Sequence, residues 1–338
     1  MKNILIIKLS AIGDVIHALP VSYAIKETFP DAKITWIVEP PAYDILRMNY
    51  CVDKIILFKK KEFKSFGGFM KNFLPFRKIL QAEKFDYVLD LQGLFKSAAI
   101  AFFAKSDNKL GICNMREMSD KISKPVIGEN SQGHIVQRYL DTARAIGCRV
   151  DKIIFPIKIP DTEIKKYDMI LKHAGVHENN LYAVLAIGAN WANKRWTTEN
   201  FAKLGDWIYD KNILPVLIGN GEVDEQRAAE IESLMEIPPI NLINRTNLMQ
   251  LAQIIKNSKF VIGGDTGTVH LAAGLKIPTV MIMGPTDSNR NGAFEQISIE
   301  VNRDCKGCWQ RACPKNLDCL ENISVDIVTQ KISAILNI

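Results

Sequence analysis

Three short stretches of this chain carry residue types suited to group transfer. The first is Lys8-Leu9-Ser10-Ala11-Ile12-Gly13-Asp14, followed by Val15-Ile16-His17-Ala18-Leu19-Pro20. Gly13 permits a tight turn, and Asp14 stands where a helix would begin. A carboxylate at that point has two readings. It is an N-cap, accepting hydrogen bonds from the first N–H groups of the helix, or it is an exposed general base for a hydroxyl nucleophile. Pro20 bears on the choice, because proline suits the first turn of a helix and clashes deeper inside one. The spacing therefore predicts a regular helix from about Leu19, with Asp14 on the loop ahead of it.

The second stretch is Gly188-Ala189-Asn190-Trp191-Ala192-Asn193-Lys194-Arg195-Trp196-Thr197. Small residues let backbone N–H groups approach a phosphate, and Lys194 or Arg195 would neutralise a departing diphosphate. The plain alternative is a surface turn with incidental bases, closed by Thr197 or Thr198 as a helix cap. The third is Gly263-Gly264-Asp265-Thr266-Gly267-Thr268-Val269-His270. Here the N–H groups of Thr266, Gly267 and Thr268 would converge on an anion at a helix start, with His270 one turn inside as a further donor. Asp265 cannot bind phosphate itself and takes an N-cap or loop-shaping role. A Gly284-Pro285-Thr286-Asp287 turn would form another wall.

A different chemistry is suggested by Cys305, Cys308, Cys313 and Cys319, close together on a loop rich in Lys, Pro and Asn. Four thiolates so spaced would bind Zn or Fe as a structural staple, or remain free thiols. The other cysteines, Cys51, Cys113 and Cys148, are scattered, and a cytoplasmic chain argues against a disulfide framework.

These stretches need a scaffold. Short β-branched runs alternate with helical patterns, the signature of βαβ units and a parallel sheet. Strands are expected over 3–8, 33–38, 54–58 and 86–91, then over 182–187, 214–219, 240–243, 260–263 and 279–283. The clearest helices fall over 134–146, 198–210, 223–235, 248–257, 268–275 and 325–336. In such folds ligands bind beyond the carboxyl ends of the strands, where all three stretches fall. A chain of 338 residues is long for one core. We expect a first Rossmann-like domain over 1–160, a second over 175–324 carrying the cysteine loop at 305–319, and a terminal helix over 325–338. Pro156 and Pro160 punctuate the polar break between them.

Composition narrows the function. No apolar run reaches the roughly 18 residues of a spanning helix. The apolar run over 4–7 is interrupted by Lys8 and then Asp14, so it reads as a strand rather than a leader, and a cytoplasmic protein is expected. The net charge of +6 is unevenly placed. Lys54, Lys59, Lys60, Lys61, Lys64, Lys71, Arg77 and Lys78 face a single acid, Glu62, with Phe58, Phe63, Phe66, Phe69, Phe73 and Phe76 interleaved. That segment suits an anionic acceptor or an anionic membrane surface, or is a solvated loop. The small total charge and the lack of a nucleic-acid module argue against RNA or DNA. No clean G-x-G-x-x-G follows a first strand, and there is no Walker lysine, H-E-x-x-H or nucleophile elbow, so dehydrogenase, kinase, zinc peptidase and serine hydrolase readings lack support.

Taken in order, Gly13-Asp14-Val15-Ile16-His17-Ala18-Leu19-Pro20, Asp90-Leu91-Gln92-Gly93-Leu94-Phe95-Lys96-Ser97-Ala98, Lys194-Arg195-Trp196, the Gly264 to Ala273 stretch and Gly284-Pro285-Thr286-Asp287 resemble the family 9 glycosyltransferases, whose main members are ADP-heptose:lipopolysaccharide heptosyltransferases. The resemblance runs from about residue 3 to about residue 290. It implies the α/β GT-B architecture, two Rossmann-like domains with parallel sheets facing across a cleft, inversion at the anomeric carbon and no cofactor for catalysis. It implies Asp14 as catalytic base, Lys194 on the donor diphosphate, Asp265, Thr266, Gly267, Thr268 and His270 as the phosphate loop, and Glu222 near the nucleoside. Lys59, Lys60, Lys61, Lys64 and Arg116 are acceptor candidates by charge and rough position. The implied partners are an ADP-heptose donor, a Kdo-lipid A or other inner-core acceptor, and the cytoplasmic face of the inner membrane as a peripheral contact. The loop over 16–20 is closer to the first heptosyltransferase. A second heptosyltransferase, a transferase acting on protein, and a non-catalytic nucleotide-binding or metal-binding protein remain alternatives. Ala189 and Asn190 depart from the hydroxyl residues some relatives carry, and the cysteine loop lies outside the shared motifs.

Overall fold

The computed structural model describes residues 2–336 except Glu178 and Leu317. The chain divides into two compact units, Met1–Lys158 and Ile159–Ile338.

In the first unit the order is β1 (Asn3–Ile7), α1 (Ile12–Thr28), β2 (Lys33–Val38), α2 (Tyr43–Arg47), β3 (Lys54–Leu57), α3 (Phe66–Gln81), β4 (Tyr87–Asp90), α4 (Phe95–Phe103), β5 (Lys109–Gly111), β6 (Lys124–Pro125) and α5 (Ile135–Ala145). The sheet runs β3-β2-β1-β4-β5-β6, and the paired strands are parallel. Ile4, Leu5, Ile6 and Ile7 are all buried, as a strand covered on both faces requires. The order reverses between β1 and β4, so the loops following these strands flank the crevice where such sheets bind ligands.

The second unit begins with α6 (Asp161–His173), then β7 (Leu181–Ala186), α7 (Thr198–Asp210), β8 (Ile213–Ile218), α8 (Glu222–Leu234), β9 (Ile240–Asn241), α9 (Leu248–Lys256), β10 (Val261–Gly264), α10 (Gly267–Gly274), β11 (Thr279–Met283), α11 (Ser288–Asn291), β12 (Ile297–Glu300) and α12 (Val325–Leu336). Its sheet runs β12-β11-β10-β7-β8-β9, reversing between β7 and β10. Its core includes Leu185, Trp196, Phe201, Phe260 and Ile262, closed by Val328 and Ile332 of α12. Asn337 and Ile338 of the expected terminal helix lie outside the described residues.

Several expectations need correction. The stretch expected as a polar break holds α6, whose Tyr167 donates to or accepts from Tyr182 at 3.1 Å. The regular helix does not wait for Leu19: α1 runs from Ile12 straight through Pro20. Proline removes one backbone donor, and the complete burial of Val15, Ile16, Ala18, Leu19 and Val21 outweighs that local loss. The basic stretch is likewise ordered as a short turn over Lys60–Phe63 and the helix α3.

Glu83, just beyond α3, ties three strands together. It accepts from Lys54 at 2.9 Å, from Lys33 at 3.0 Å and from the Asn3 amide at 3.2 Å. The Lys54 and Lys33 bonds hold its carboxyl down to about 2 against the effect of burial. A carboxyl with a depressed folded pKa contributes stability above its unfolded value of about 4.3, and that stability is lost as pH falls through the folded value. Unfolding measured at a series of pH values should therefore show stability falling between about pH 4 and about pH 2. Glu83→Gln should flatten that acid limb.

Candidate functional site

In the first unit the loops after β1 and β4 are bound to each other. The Gln92 side-chain oxygen accepts from the N–H groups of Leu9 and Ser10, both at 3.1 Å. Lys96 donates to the Ser10 hydroxyl at 3.2 Å and to Glu39 at 2.6 Å, adding the end of β2. Asp90 closes the base of this arrangement, accepting from Gly93 N–H at 2.9 Å, Gln92 N–H at 3.0 Å and the Ser97 hydroxyl at 3.0 Å. Burial pushes the Asp90 carboxyl up, against the pull of these donors.

Asp14 lies in the first turn of α1. It is neither a pure cap nor a free loop carboxylate: Oδ2 accepts from Ala11 N–H at 3.4 Å and faces Lys8 Nζ at 3.5 Å, while the side chain keeps 36% exposure. Lys8 is buried. Burial alone would push its ammonium down, but Asp14 and then Tyr139 hold its pKa above the usual lysine value. An accessible carboxylate oriented by a buried cation can receive a proton from a hydroxyl while its position stays fixed. Lys59, Lys60, Lys61, Lys64 and Arg116 are all exposed. Lys59 pairs with Glu62 at 3.2 Å.

In the second unit Asp265 is the centre of the constellation. Oδ2 accepts from Lys194 Nζ at 2.6 Å and from the Thr286 hydroxyl at 2.8 Å, and Oδ1 meets His270 Nε2 at 2.8 Å. The second stretch, the third and the Gly284 to Asp287 turn are thus joined through one carboxylate. Burial would raise the Asp265 pKa, but His270 and Lys194 hold it well below the usual carboxylate range. Asp265 is therefore the loop-shaping residue and not the cap, since Thr266 occupies the N-cap position. No side chain caps α10, which leaves its first-turn N–H groups as donors toward an anion. His270 differs from expectation in having Nε2 committed to Asp265.

Close approach explains Gly264: a Cβ there would run into the Lys194 carbonyl oxygen. Lys194 also sits 4.2 Å from the Trp191 ring centroid. Arg195 is turned to structure, donating to the Ala189 carbonyl at 2.9 Å, and Thr197 caps α7 by accepting from Asn200 N–H at 3.2 Å. Glu222 is exposed at the first position of α8, after Gly221 at φ +95°.

The profile of glycosyltransferase family 9 (heptosyltransferase) matches residues 73–318. The chain belongs to glycosyltransferase family 9. Like the other members it is a transferase of glycosyl groups. Lipopolysaccharide heptosyltransferase 1 of Escherichia coli K12 is 26% identical, with 98% of this chain and 100% of that protein covered. The counterpart from Pseudomonas aeruginosa is 23% identical over 92% of this chain and 87% of its own length. Among solved structures, the family 9 glycosyl transferase from Veillonella parvula superposes with a TM-score of 0.86 at 19% identity, covering 99% of this chain and 97% of that one. The Escherichia coli heptosyltransferase WaaC with ADP gives 0.76 at 24%, covering 98% and 99%. These likenesses establish the α/β GT-B class for this family 9 chain.

The spacing of the cysteine loop in this family 9 member left a metal staple and free thiols as alternatives, and the arrangement of the loop gives the staple no support. Among the described residues, no group of three or more His, Cys, Asp or Glu is arranged to hold a metal ion. Cys319 is buried against the core while Cys305 and Cys308 are exposed. Burial, and then the thiols of Cys313, Cys308 and Cys305, push the Cys319 thiol up. The loop is fastened by other contacts. Gly307 N–H donates to the Gly284 carbonyl at 2.9 Å, Trp309 N–H to the Pro285 carbonyl at 2.7 Å, and the Asn193 amide to the Gln310 carbonyl at 2.8 Å. It therefore grips the turns on both sides of Asp265.

Four contributors escaped sequence reasoning. Gln92 and Asp90 stood in a quoted motif without a task, although polar residues at the end of a buried strand are themselves a signal. Lys8 was read only as the end of a strand. Thr286 was one residue of a turn, and nothing local points it at Asp265.

Proposed function

We propose that this chain transfers heptose from ADP-L-glycero-D-manno-heptose to the Kdo region of lipid A, as the first heptosyltransferase of the lipopolysaccharide core. The observation that carries the reading is the pair of constellations, each at the reversal point of its own sheet: Asp14 with Lys8 in one, Lys194 with Asp265 in the other. Near full-length similarity to lipopolysaccharide heptosyltransferase 1 supports the donor and the acceptor class.

The roles follow from the geometry. Asp14 takes the proton from the acceptor hydroxyl as its oxygen bonds to the anomeric carbon with inversion. The bond from that carbon to the diphosphate breaks, and ADP leaves with the electron pair. Lys194 has three N–H donors and spends one on Asp265, which leaves two for the developing charge. The N–H groups of Thr266, Gly267 and Thr268 add to it. Asp265 and His270 hold Lys194 and the loop in place, and Glu222 receives the nucleoside hydroxyls. Lys59, Lys60, Lys61, Lys64 and Arg116 bind the Kdo carboxylates. No step draws on a metal.

The test is ADP release from ADP-heptose, and separately from other nucleotide sugars, with Kdo-lipid A or the same acceptor already bearing one heptose. Release with ADP-heptose and the unheptosylated acceptor is expected. Silence with ADP-heptose overturns the donor, and activity confined to the heptosylated acceptor overturns the assignment as first enzyme.

A further inference from the structure

The first turn of a helix is its positive end, where a cation is out of place. α4 nevertheless carries its one ionisable residue, Lys96, at its second position. The side chain reaches across the ends of two other strands. Its Nζ donates to Glu39 at 2.6 Å, directly after β2, and to the Ser10 hydroxyl at 3.2 Å, in the loop after β1. Ser10 begins the turn that leads to Asp14, whose Oδ2 accepts from Ala11 N–H. Lys96, Glu39 and Ser10 are thereby gathered on the loop that carries Asp14, at the reversal point of the first sheet.

Fastening these loops does not require the ion pair. Gln92 already holds Leu9 and Ser10, and Glu39 N–H donates to the Leu9 carbonyl at 3.0 Å. Nor is the pair sealed, since the Lys96 and Glu39 side chains keep 23% and 16% exposure. Its hydrogen-bonding capacity is also only partly used. Lys96 spends two of its three N–H donors, and Glu39 Oε2 has no partner among the described residues. The Ser10 hydroxyl accepts from Lys96 and keeps its proton to donate.

We infer that Lys96, Glu39 and Ser10 form a subsite for neutral hydroxyl groups of the acceptor sugar, near the hydroxyl that Asp14 deprotonates. A hydroxyl both donates and accepts, so a neighbouring ammonium and carboxylate together satisfy an adjacent pair of them. An acceptor carboxylate fits worse, because Glu39 would repel it. An apolar group would strip water from two charges and return nothing. The inference rests on the proposed reading for the acceptor being a sugar, and adds to it how the hydroxyl pattern of that sugar is read.

Lys96→Met and Glu39→Ala, each shown to be folded by circular dichroism, are assayed for transfer from ADP-heptose to Kdo-lipid A. Each should raise the KM for the acceptor at least about tenfold, the scale of a lost hydrogen bond to a charged group, while the KM for ADP-heptose stays as it was. A Lys96→Met, Glu39→Met double variant leaves neither charge unpaired and serves if a single one misfolds. Monodeoxy acceptors, each lacking one free hydroxyl, identify what is read. At least one should be a poor acceptor for the parent and show no further loss with Lys96→Met. The subsite is overturned by an unchanged acceptor KM in the folded variants, by an equal rise in the donor KM, or by additive losses with every deoxy acceptor. It is also overturned if the penalty of Lys96→Met disappears once the acceptor's carboxylates are reduced to alcohols, because the pair would then be reading an anion. Calorimetry of Kdo-lipid A binding without donor separates this outcome from the reading it rests on. A parent inactive with ADP-heptose sinks the donor alone, and weaker acceptor binding in the variants still supports the subsite. Equal binding, or none by the parent, overturns it.

Discussion

Asp14→Asn should lower the rate of sugar transfer by about 10²- to 10⁴-fold, the range a positioned general base contributes, while ADP binding measured by calorimetry stays as it was. The two readouts separate because every residue assigned to the donor lies in the second unit, from Lys194 to His270. Asparagine is the sharper substitution. It retains the shape and the capacity to accept from Ala11 N–H, but it cannot take up a proton at neutral pH. Either change leaves the buried Lys8 ammonium without its anion, but alanine also removes the side-chain acceptor facing Lys8 and Ala11 N–H, and lost activity would then more readily mix chemistry with misfolding. Normal turnover in a folded Asp14→Asn protein would remove Asp14 as the base.

Asp265→Ala should be the most damaging single change to stability, by about 3–5 kcal/mol, the cost of deleting one partner of a buried charge pair. Lys194, His270 and the Thr286 hydroxyl all lose their common acceptor. The pH dependence carries a definite sign. The folded pKa of Asp265 lies well below the usual value, so its contribution is complete above about pH 4 and declines as pH falls through the folded value. Urea unfolding read by tryptophan fluorescence is a direct check, since Trp191, Trp196, Trp207 and Trp309 all belong to the second unit. The gap between parent and variant should be widest near neutrality and narrow below about pH 4. A gap independent of pH would mean that packing, and not the ion pairs, is what Asp265 contributes. ADP affinity should fall in the same variant, because Lys194 loses its anchor.

The strands β1, β7 and β11 were readable as continuous apolar runs, since parallel strands covered on both faces have no polar side to show. Helices α5, α7 and α9 declared themselves by apolar periodicity, and the cap of α7 was narrowed to Thr197 or Thr198, of which the fold uses Thr197. The strands β5, β6 and β12 were not readable. They have three, two and four residues, and pairing with an existing sheet, not a local pattern, makes them strands. Pro20 misled for a related reason: a proline's local effect was weighed without the packing that surrounds it. The aromatic and basic stretch over 54–78 was equally ambiguous, because most of α3's large apolar residues are exposed and blur the helical period.

The sequence by itself determined the α/β class and a two-unit plan, and it singled out the loops proposed here for chemistry, because burial patterns and glycine turns are local properties that repeat along the chain. It also singled out Asp14, Lys194, Asp265 and His270 as candidates, since each stands in a stretch of small residues and turns that follows a buried strand. Only the tertiary structure decided what these residues touch. The Lys8 to Asp14 pair, the Gln92 clasp between two loops and the convergence of Lys194, His270 and Thr286 on Asp265 join residues held together by sheet order. The same holds for the cysteines: spacing left a metal site and free thiols open, and the fold buries Cys319 and binds the loop to the turns beside Asp265.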